Sequence, residues 1–230
     1  MRTQQTTLQG PSGKGATPVD VRTRVLYNPD LLGSYNVIPG LIAIILFQTG
    51  VNLTALAIVK EKERGTMEQL IVTPIRSWEL ILAKITPYIL VSFANTILIM
   101  AIGSFLFGVP LRGSILLLFA LVGVYLLPIL GLGLLISTMA QTQQQAQLMS
   151  MPIMLPAMML SGIFFPISSL PAFLQFFSNI LPLTYFIFIL RSILIKGVGL
   201  GMIIPQVVAL AIFAVVLLGL AVMRFRKSLD

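Results

Sequence analysis

Cysteine and histidine are both absent from this chain of 230 residues. Their absence excludes a disulfide framework, a thiol nucleophile, the common zinc and haem ligand sets and a histidine proton switch. Charged residues are scarce as well, at 10% of the chain, whereas about a quarter of a soluble domain is charged. No Gly-x-x-x-x-Gly-Lys-Ser/Thr loop occurs either, which excludes ATP hydrolysis by a P-loop in this chain.

Apolar residues are in excess, at 57% of the chain with a mean hydropathy of +0.99. They are gathered in runs of about 20 residues, the length that an α-helix needs to cross a bilayer core of about 30 Å. These runs predict an all-α, polytopic membrane protein. The five predicted spans are residues 37–59, 85–107, 114–139, 148–165 and 202–223.

Two stretches fall outside these spans. Residues 1–36 are polar and contain several glycines and prolines, which predicts a partly disordered segment ahead of a membrane domain at residues 37–230. Residues 166–201 are apolar and aromatic, but Pro171, Pro182 and two basic residues interrupt them. This pattern favours short interfacial or re-entrant helices over a sixth span.

The net charge of +8 comes from lysines and arginines that lie almost entirely between or beside the apolar runs. In these positions they indicate membrane topology and contact with anionic lipid, and not nucleic acid. The positive-inside rule places residues 60–84 in the cytoplasm; alternation then places Arg112 outside and residues 141–147 inside. Residues 1–36 would also lie outside, with four basic residues and no preceding helix to translocate them, which predicts that a preceding span is missing.

The segment 60–84, KEKERGTMEQLIVTPIRSWELILAK, is the one interior stretch with both charge and helix signals. Residues 66–69, Thr-Met-Glu-Gln, match a capping box, so a short helix is predicted to begin there. Apolar residues at i, i+3 and i+4 give it an apolar face, Pro74 ends it, and Ser77 can cap the next helix. An interfacial helix on lipid headgroups and a docking surface for a soluble partner both fit this pattern.

Three motifs, in this order along the chain, resemble ABC-2 type transport permeases, the membrane subunits of ATP-binding-cassette exporters. The first, RTRVLYNPDLLGSYNVIPGLIAIIL, resembles the start of that family's second span. The second, VKEKERGTMEQLIVTPIRSWELILAK, looks like its first cytoplasmic loop. The third, LSGIFFPISSLPAFLQFFSNILPLTYFIFILRSILIKG, is similar to its external re-entrant segment. The resemblance covers residues 22–230.

The resemblance implies that the loop is a coupling helix seated in a groove of an ATPase subunit. The matching positions are Glu61, Glu63, Arg64, Gly65, Thr66, Met67, Glu68, Gln69, Leu70 and Pro74. It also implies a homo- or heterodimer of permease chains, and ATP-binding-cassette subunits that hold ATP and Mg while this chain binds no cofactor or metal. Close family members have a first span and a large external domain ahead of the Tyr-Asn-Pro motif, whereas 26 residues precede Tyr27 here.

Polar groups and prolines within the spans are candidates for a transport pathway. Gln48 and Asn52 lie at i, i+4 in the first span, where amides contact either a polar pathway or a neighbouring helix. Pro152 and Pro156 share one face of the fourth span and free backbone carbonyls, which favours a kink beside a cavity. In the third span, the sequence Gly-x-Gly at residues 131–133 predicts close helix packing or a kink.

No predicted span has Asp, Glu, Lys or Arg in its interior. Ion-driven carriers place such groups in the membrane, so a carrier or pore that works without ATP is disfavoured. The function expected from the resemblance is that of the permease subunit of an ATP-driven exporter in the bacterial inner membrane. Its cargo would be hydrophobic or amphipathic, a drug-like molecule or a lipid. The alternative is a truncated, non-transporting paralogue that assembles with or regulates a full-length permease.

Overall fold

The computed structural model describes residues 33–65 and 77–227, and every regular element in these ranges is helical. The α-helices are α1 Ser34–Glu63, α2 Ser77–Phe107, α3 Ile115–Met139, α4 Gln143–Leu160, α5 Ala172–Ser178, α6 Pro182–Leu194 and α7 Ile204–Lys227. Short 3-10 helices lie at Ile167–Ser169 and Leu200–Met202. The all-α architecture expected from the sequence is confirmed.

Four helices in the described ranges are long and apolar enough to cross a membrane. They cover Val37–Glu63, Thr86–Phe107, Ile115–Met139 and Ile204–Arg224. The pair α5 and α6 passes the same test together but is bent by 82°, so it forms either a broken span or a re-entrant loop. This bend confirms the short helices expected between residues 166 and 201. Pro182 stands in the first turn of α6, where the missing proline N–H leaves no helical bond unmade.

The fourth predicted span, residues 148–165, has different bounds in the structure. Helix α4 begins at Gln143 and ends at Leu160, and it is not among the helices that meet the length and hydropathy criterion. Gly162 follows with a φ of +82°, a left-handed conformation that glycine adopts without strain and that commonly ends a helix. Residues 163–165 therefore belong to the turn after α4, and the predicted bounds were wrong.

Helix α1 is the centre of the bundle and contacts α2, α3, α4 and α6, whereas α7 packs mainly on α3. Two glycines of α3 allow these close approaches. A Cβ atom on Gly133 would lie 2.7 Å from the carbonyl oxygen of Val51 in α1, and one on Gly131 would lie 2.9 Å from the backbone nitrogen of Leu218 in α7. The Gly-x-Gly sequence therefore serves close packing against two different helices.

Helix α6 runs from the middle of the bundle to one end of it. Near its start, the ring of Phe186 stacks on Tyr125 of α3 with ring centroids 3.8 Å apart. The Tyr125 hydroxyl donates a hydrogen bond to the carbonyl of Ala43 in α1 at 3.3 Å. At the other end of α6, the carbonyl of Leu194 accepts a hydrogen bond from the N–H of Arg112, just ahead of α3. The α5–α6 pair therefore reaches into the bundle and returns to the end where α3 begins.

Candidate coupling and pathway site

Helix α1 ends where the predicted coupling segment begins. The N–H of Arg64 donates to the carbonyl of Lys60, and the N–H of Gly65 donates to the carbonyl of Lys62, both at 3.2 Å. Gly65 has a φ of +69°, so a left-handed residue closes the helix. A side chain at this position would be strained in that conformation, which explains the glycine among the matched coupling residues.

The other end of the coupling segment is set by α2, which begins at Ser77, the residue predicted to cap it. Between the two helices, six of the predicted coupling residues lie outside the described residues, as does the capping box at 66–69. They are Thr66, Met67, Glu68, Gln69, Leu70 and Pro74. Glu61, Glu63, Arg64 and Gly65 form the described part of the predicted site.

Two hydrogen bonds join the end of α1 to the turn between α3 and α4. The Gln143 side-chain amide donates to a carboxylate oxygen of Glu63 at 2.7 Å, and the Lys62 ammonium donates to the carbonyl of Ala140 at 3.3 Å. Both involve a charged group, which makes them stronger than neutral pairs. The start of α4 is therefore hydrogen-bonded to the last turn of α1, which leads into the coupling segment.

The sequence reasoning missed the capping arrangement that positions Gln143. Thr142 is the N-cap of α4: its hydroxyl accepts a hydrogen bond from the N–H of Gln145 at 3.2 Å. The side chain of Gln145 in turn accepts from the N–H of Gln141 at 2.8 Å. The signal was present, because residues 142–145 read Thr-x-x-Gln, the pattern used to predict the capping box at 66–69. No local signal could pair Gln143 with Glu63, which is 80 positions away.

The four pathway candidates lie on two helices that pack against each other, α1 and α4. Gln48 and Asn52 are half-buried on α1, and Pro152 and Pro156 are exposed on α4. Counted from the link between α1 and α4, Asn52 and Pro152 lie about 16 and 14 Å along their helices at ~1.5 Å per residue. They therefore reach a similar depth in the bundle. The carbonyl oxygen of the Asn52 side chain is buried and, within the described structure, accepts no hydrogen bond.

Helix α4 has one packed face and one open face. Small residues occupy the buried positions: Ala146, Ser150 and Ala157. The exposed face carries Pro152 and Pro156 together with large apolar residues, namely Leu148, Met151, Leu155 and Met159. Both prolines lie within one continuous helix.

Comparison with known proteins shows which family the chain belongs to. Residues 1–223 match the family model described as ABC-2 family transporter protein. The chain belongs to the ABC-2 transporter family. Among ABC-2 relatives in Escherichia coli K12, the probable multidrug ABC transporter permease YbhS is 38% identical over 213 residues, which are 92% of this chain and 56% of YbhS. YbhR, with the same description, is 34% identical over 200 residues, 87% of this chain and 54% of its own length.

A third ABC-2 relative, the inner membrane transport permease YhhJ of Escherichia coli K12, is 32% identical over 216 residues, 92% of this chain and 57% of YhhJ. The chain thus spans a little over half the length of these curated relatives. Membership confirms the family resemblance read from the three motifs. Together with the apolar helices, it establishes a multi-pass membrane protein of an ABC transporter family.

Proposed function

We propose that this chain is the permease subunit of an ATP-driven exporter in the inner membrane of a bacterium. Its cargo is a hydrophobic or amphipathic molecule, a drug-like compound or a lipid, which moves outward. Two permease chains face each other across α1 and α4, as a homo- or heterodimer. ATP-binding-cassette subunits, which carry ATP and Mg, dock on the coupling segment at residues 60–76.

The link between α1 and α4 is the observation that carries this proposal. A force applied to residues 66–76 reaches α1 directly, because Gly65 joins them. The hydrogen bond from Gln143 to Glu63 then connects α1 to α4, the helix with the two exposed prolines. Packed helices and hydrogen bonds of this kind are the physical means by which a change at one site moves another. The coupling segment and the candidate pathway are thus mechanically connected.

The open face of α4 and the half-buried amides of α1 support a pathway between two chains. A buried polar atom without a hydrogen bond costs about 1–3 kcal/mol, and the side-chain carbonyl of Asn52 is such an atom. The Asn52 side chain as a whole is half-buried, so its amide can turn toward a second chain or the cargo and gain a hydrogen bond there. The open face of α4 carries leucine and methionine side chains and no charged residue. Amides next to apolar surface suit an amphipathic cargo better than an ion, in keeping with the multidrug description of YbhS and YbhR.

The proposal is tested by co-purification of an ATP-binding-cassette ATPase with the detergent-solubilised chain. Wild type should retain the ATPase, and deletion of residues 66–73 should lose it. The double substitution Glu68→Lys with Gln69→Ala should still insert into the membrane but uncouple ATP hydrolysis from transport. Ser168→Lys, which adds a positive charge to an exposed turn at the opposite end of α4, serves as the control and should behave as wild type.

Two results would count against export by this chain. Normal transport by the Glu68→Lys, Gln69→Ala variant would remove the coupling role from the segment. Recovery of a full-length permease without an ATPase would favour the alternative, a paralogue that assembles with or regulates another permease.

A further inference from the structure

A second group of residues, at the end of the bundle opposite Gln143, has the features of a lipid site. We propose that Arg112 and Lys196 bind the phosphate of an anionic phospholipid, whose acyl chain follows the apolar surface beside them. Arg112 lies in the loop between α2 and α3, and Lys196 lies just after α6. Both side chains are exposed. The site is separate from the coupling segment and does not depend on the export proposal.

Backbone contacts hold the two cations next to each other. The N–H of Arg112 donates to the carbonyl of Leu194 at 3.2 Å, and its guanidinium lies 3.5 Å from the carbonyl of Ile195. On the other side of Lys196, a Cβ atom on Gly197 would lie 3.1 Å from the Cβ of Arg112. Arg112 therefore contacts the residues on both sides of Lys196, so the two basic side chains extend from the same junction.

Lys196 is further positioned by an aromatic ring. Its ammonium lies 5.8 Å from the ring centroid of Phe188, which stands eight positions earlier in the chain, on α6. A cation over an aromatic face is held by the ring quadrupole while its other side stays open to a ligand. The ring itself is about half exposed, so an acyl chain that accompanies the phosphate can contact it.

Among the residues that the structure describes, no carboxylate neutralises the charge of this junction. The sequence has no acidic residue from position 80 to position 229. Of the carboxylates whose side chains the structure describes, Glu61 and Glu63 lie at the opposite end, where Glu63 contacts Gln143. The junction also lies between the end of α2 and the start of α3, both candidate spans, and hence at the level of lipid headgroups. Basic residues at this level attract anionic lipid, and a guanidinium matches phosphate geometry.

Apolar surface next to the cations selects a phospholipid over a soluble phosphate. Leu111, the neighbour of Arg112, is exposed, as is Phe107 at the end of α2. Ile115 and Leu116, which follow Arg112 at the start of α3, are exposed as well. A ligand with a phosphate and an acyl chain uses both parts of this surface, whereas a free phosphate uses one.

Fluorescence quenching at the junction tests the proposal on the whole chain. The only native tryptophan is replaced by Trp78→Phe, and Phe188→Trp places an indole beneath Lys196. The protein is reconstituted into vesicles that contain brominated phosphatidylglycerol or, at the same mole fraction, brominated phosphatidylcholine. Each basic residue near a membrane surface enriches anionic lipid by about fivefold, so we expect a preference for phosphatidylglycerol on the order of tenfold.

Matched variants then test which basic residues cause the preference for phosphatidylglycerol. Arg112→Gln with Lys196→Gln should reduce it to about equal quenching by the two lipids, while Arg112→Lys should keep most of it. Lys60→Gln with Arg224→Gln removes the same charge from exposed positions at the other end and should leave it intact. Equal quenching before any charge is removed would overturn the proposal. The proposal would also be overturned if the Arg112→Gln, Lys196→Gln variant kept the preference for phosphatidylglycerol. Loss of that preference to the same extent in the control variant would overturn it as well.

Discussion

At the scale of single residues, two glycines of α3 that look alike in the sequence have different surroundings. A Cβ atom on Gly133 would lie 2.7 Å from the carbonyl of Val51 and 2.8 Å from the Cβ of Thr54, whereas one on Gly123 would have Phe93 at 4.0 Å as its nearest neighbour. The backbone of α1 cannot move away from Gly133 without disturbing the centre of the bundle. Gly133 therefore sets the distance between α1 and α3.

This difference predicts opposite effects for the same substitution. Gly133→Ala should lower the free energy of unfolding by about 1–3 kcal/mol, the usual cost of overpacking a core. Gly123→Ala should be neutral or raise it by up to about 1 kcal/mol, because alanine favours the helix more than glycine does. Thermal or denaturant unfolding of the purified proteins in one detergent measures both. Equal changes in the two variants would mean that the α1–α3 contact does not limit stability.

At the scale of elements, α4 is the helix whose bounds the sequence predicted least well. The strongly apolar helices α1, α2, α3 and α7 were located from hydropathy alone, because lipid requires long apolar runs. Helix α4 begins with glutamines and is less apolar, so hydropathy placed it too late in the chain. Its start is decided by a local hydrogen-bond arrangement at Thr142, and its end by the left-handed Gly162.

The cap of α4 gives a prediction for that helix. Thr142→Ala removes the hydroxyl that accepts the N–H of Gln145, and losing an N-cap of this type costs about 1 kcal/mol. The backbone amides of Gln145 and Ala146, which donate to Thr142, should exchange with deuterium about fivefold faster, and the Gln143–Glu63 hydrogen bond should weaken with them. Thr142→Ser keeps the hydroxyl and should exchange as wild type. Unchanged exchange in Thr142→Ala would show that Gln141 and Gln145 hold this turn without the threonine.

At the scale of the whole molecule, the open face of α4 leads to a prediction about assembly. The native chain has no cysteine, so a single introduced cysteine reports one contact. Leu155→Cys, at a position 63% exposed on α4, should form a disulfide-linked dimer under mild oxidation if two chains face each other there. Val215→Cys, 74% exposed on α7, should stay monomeric because α7 faces lipid in the proposed arrangement.

The dimer is assessed by electrophoresis without reductant, with the protein in native membranes. A disulfide-linked species from Val215→Cys and none from Leu155→Cys would place the contact on α7 and contradict the proposed facing of α1 and α4. A heterodimer requires the same substitution at the matching position of the partner permease.

The amino-acid sequence was sufficient to predict the class of protein and most of its membrane helices. The bilayer requires apolar runs of a certain length, and these can be recognised along the chain. The sequence was also sufficient for the family, because three motifs occur in order. The contacts across the chain came from the folded bundle: Glu63 with Gln143, Arg112 with the residues around Lys196, and the opposite packing of Gly131 and Gly133. Each of these contacts joins residues that are far apart in the chain, and helix packing, which no local pattern encodes, decides which of them meet.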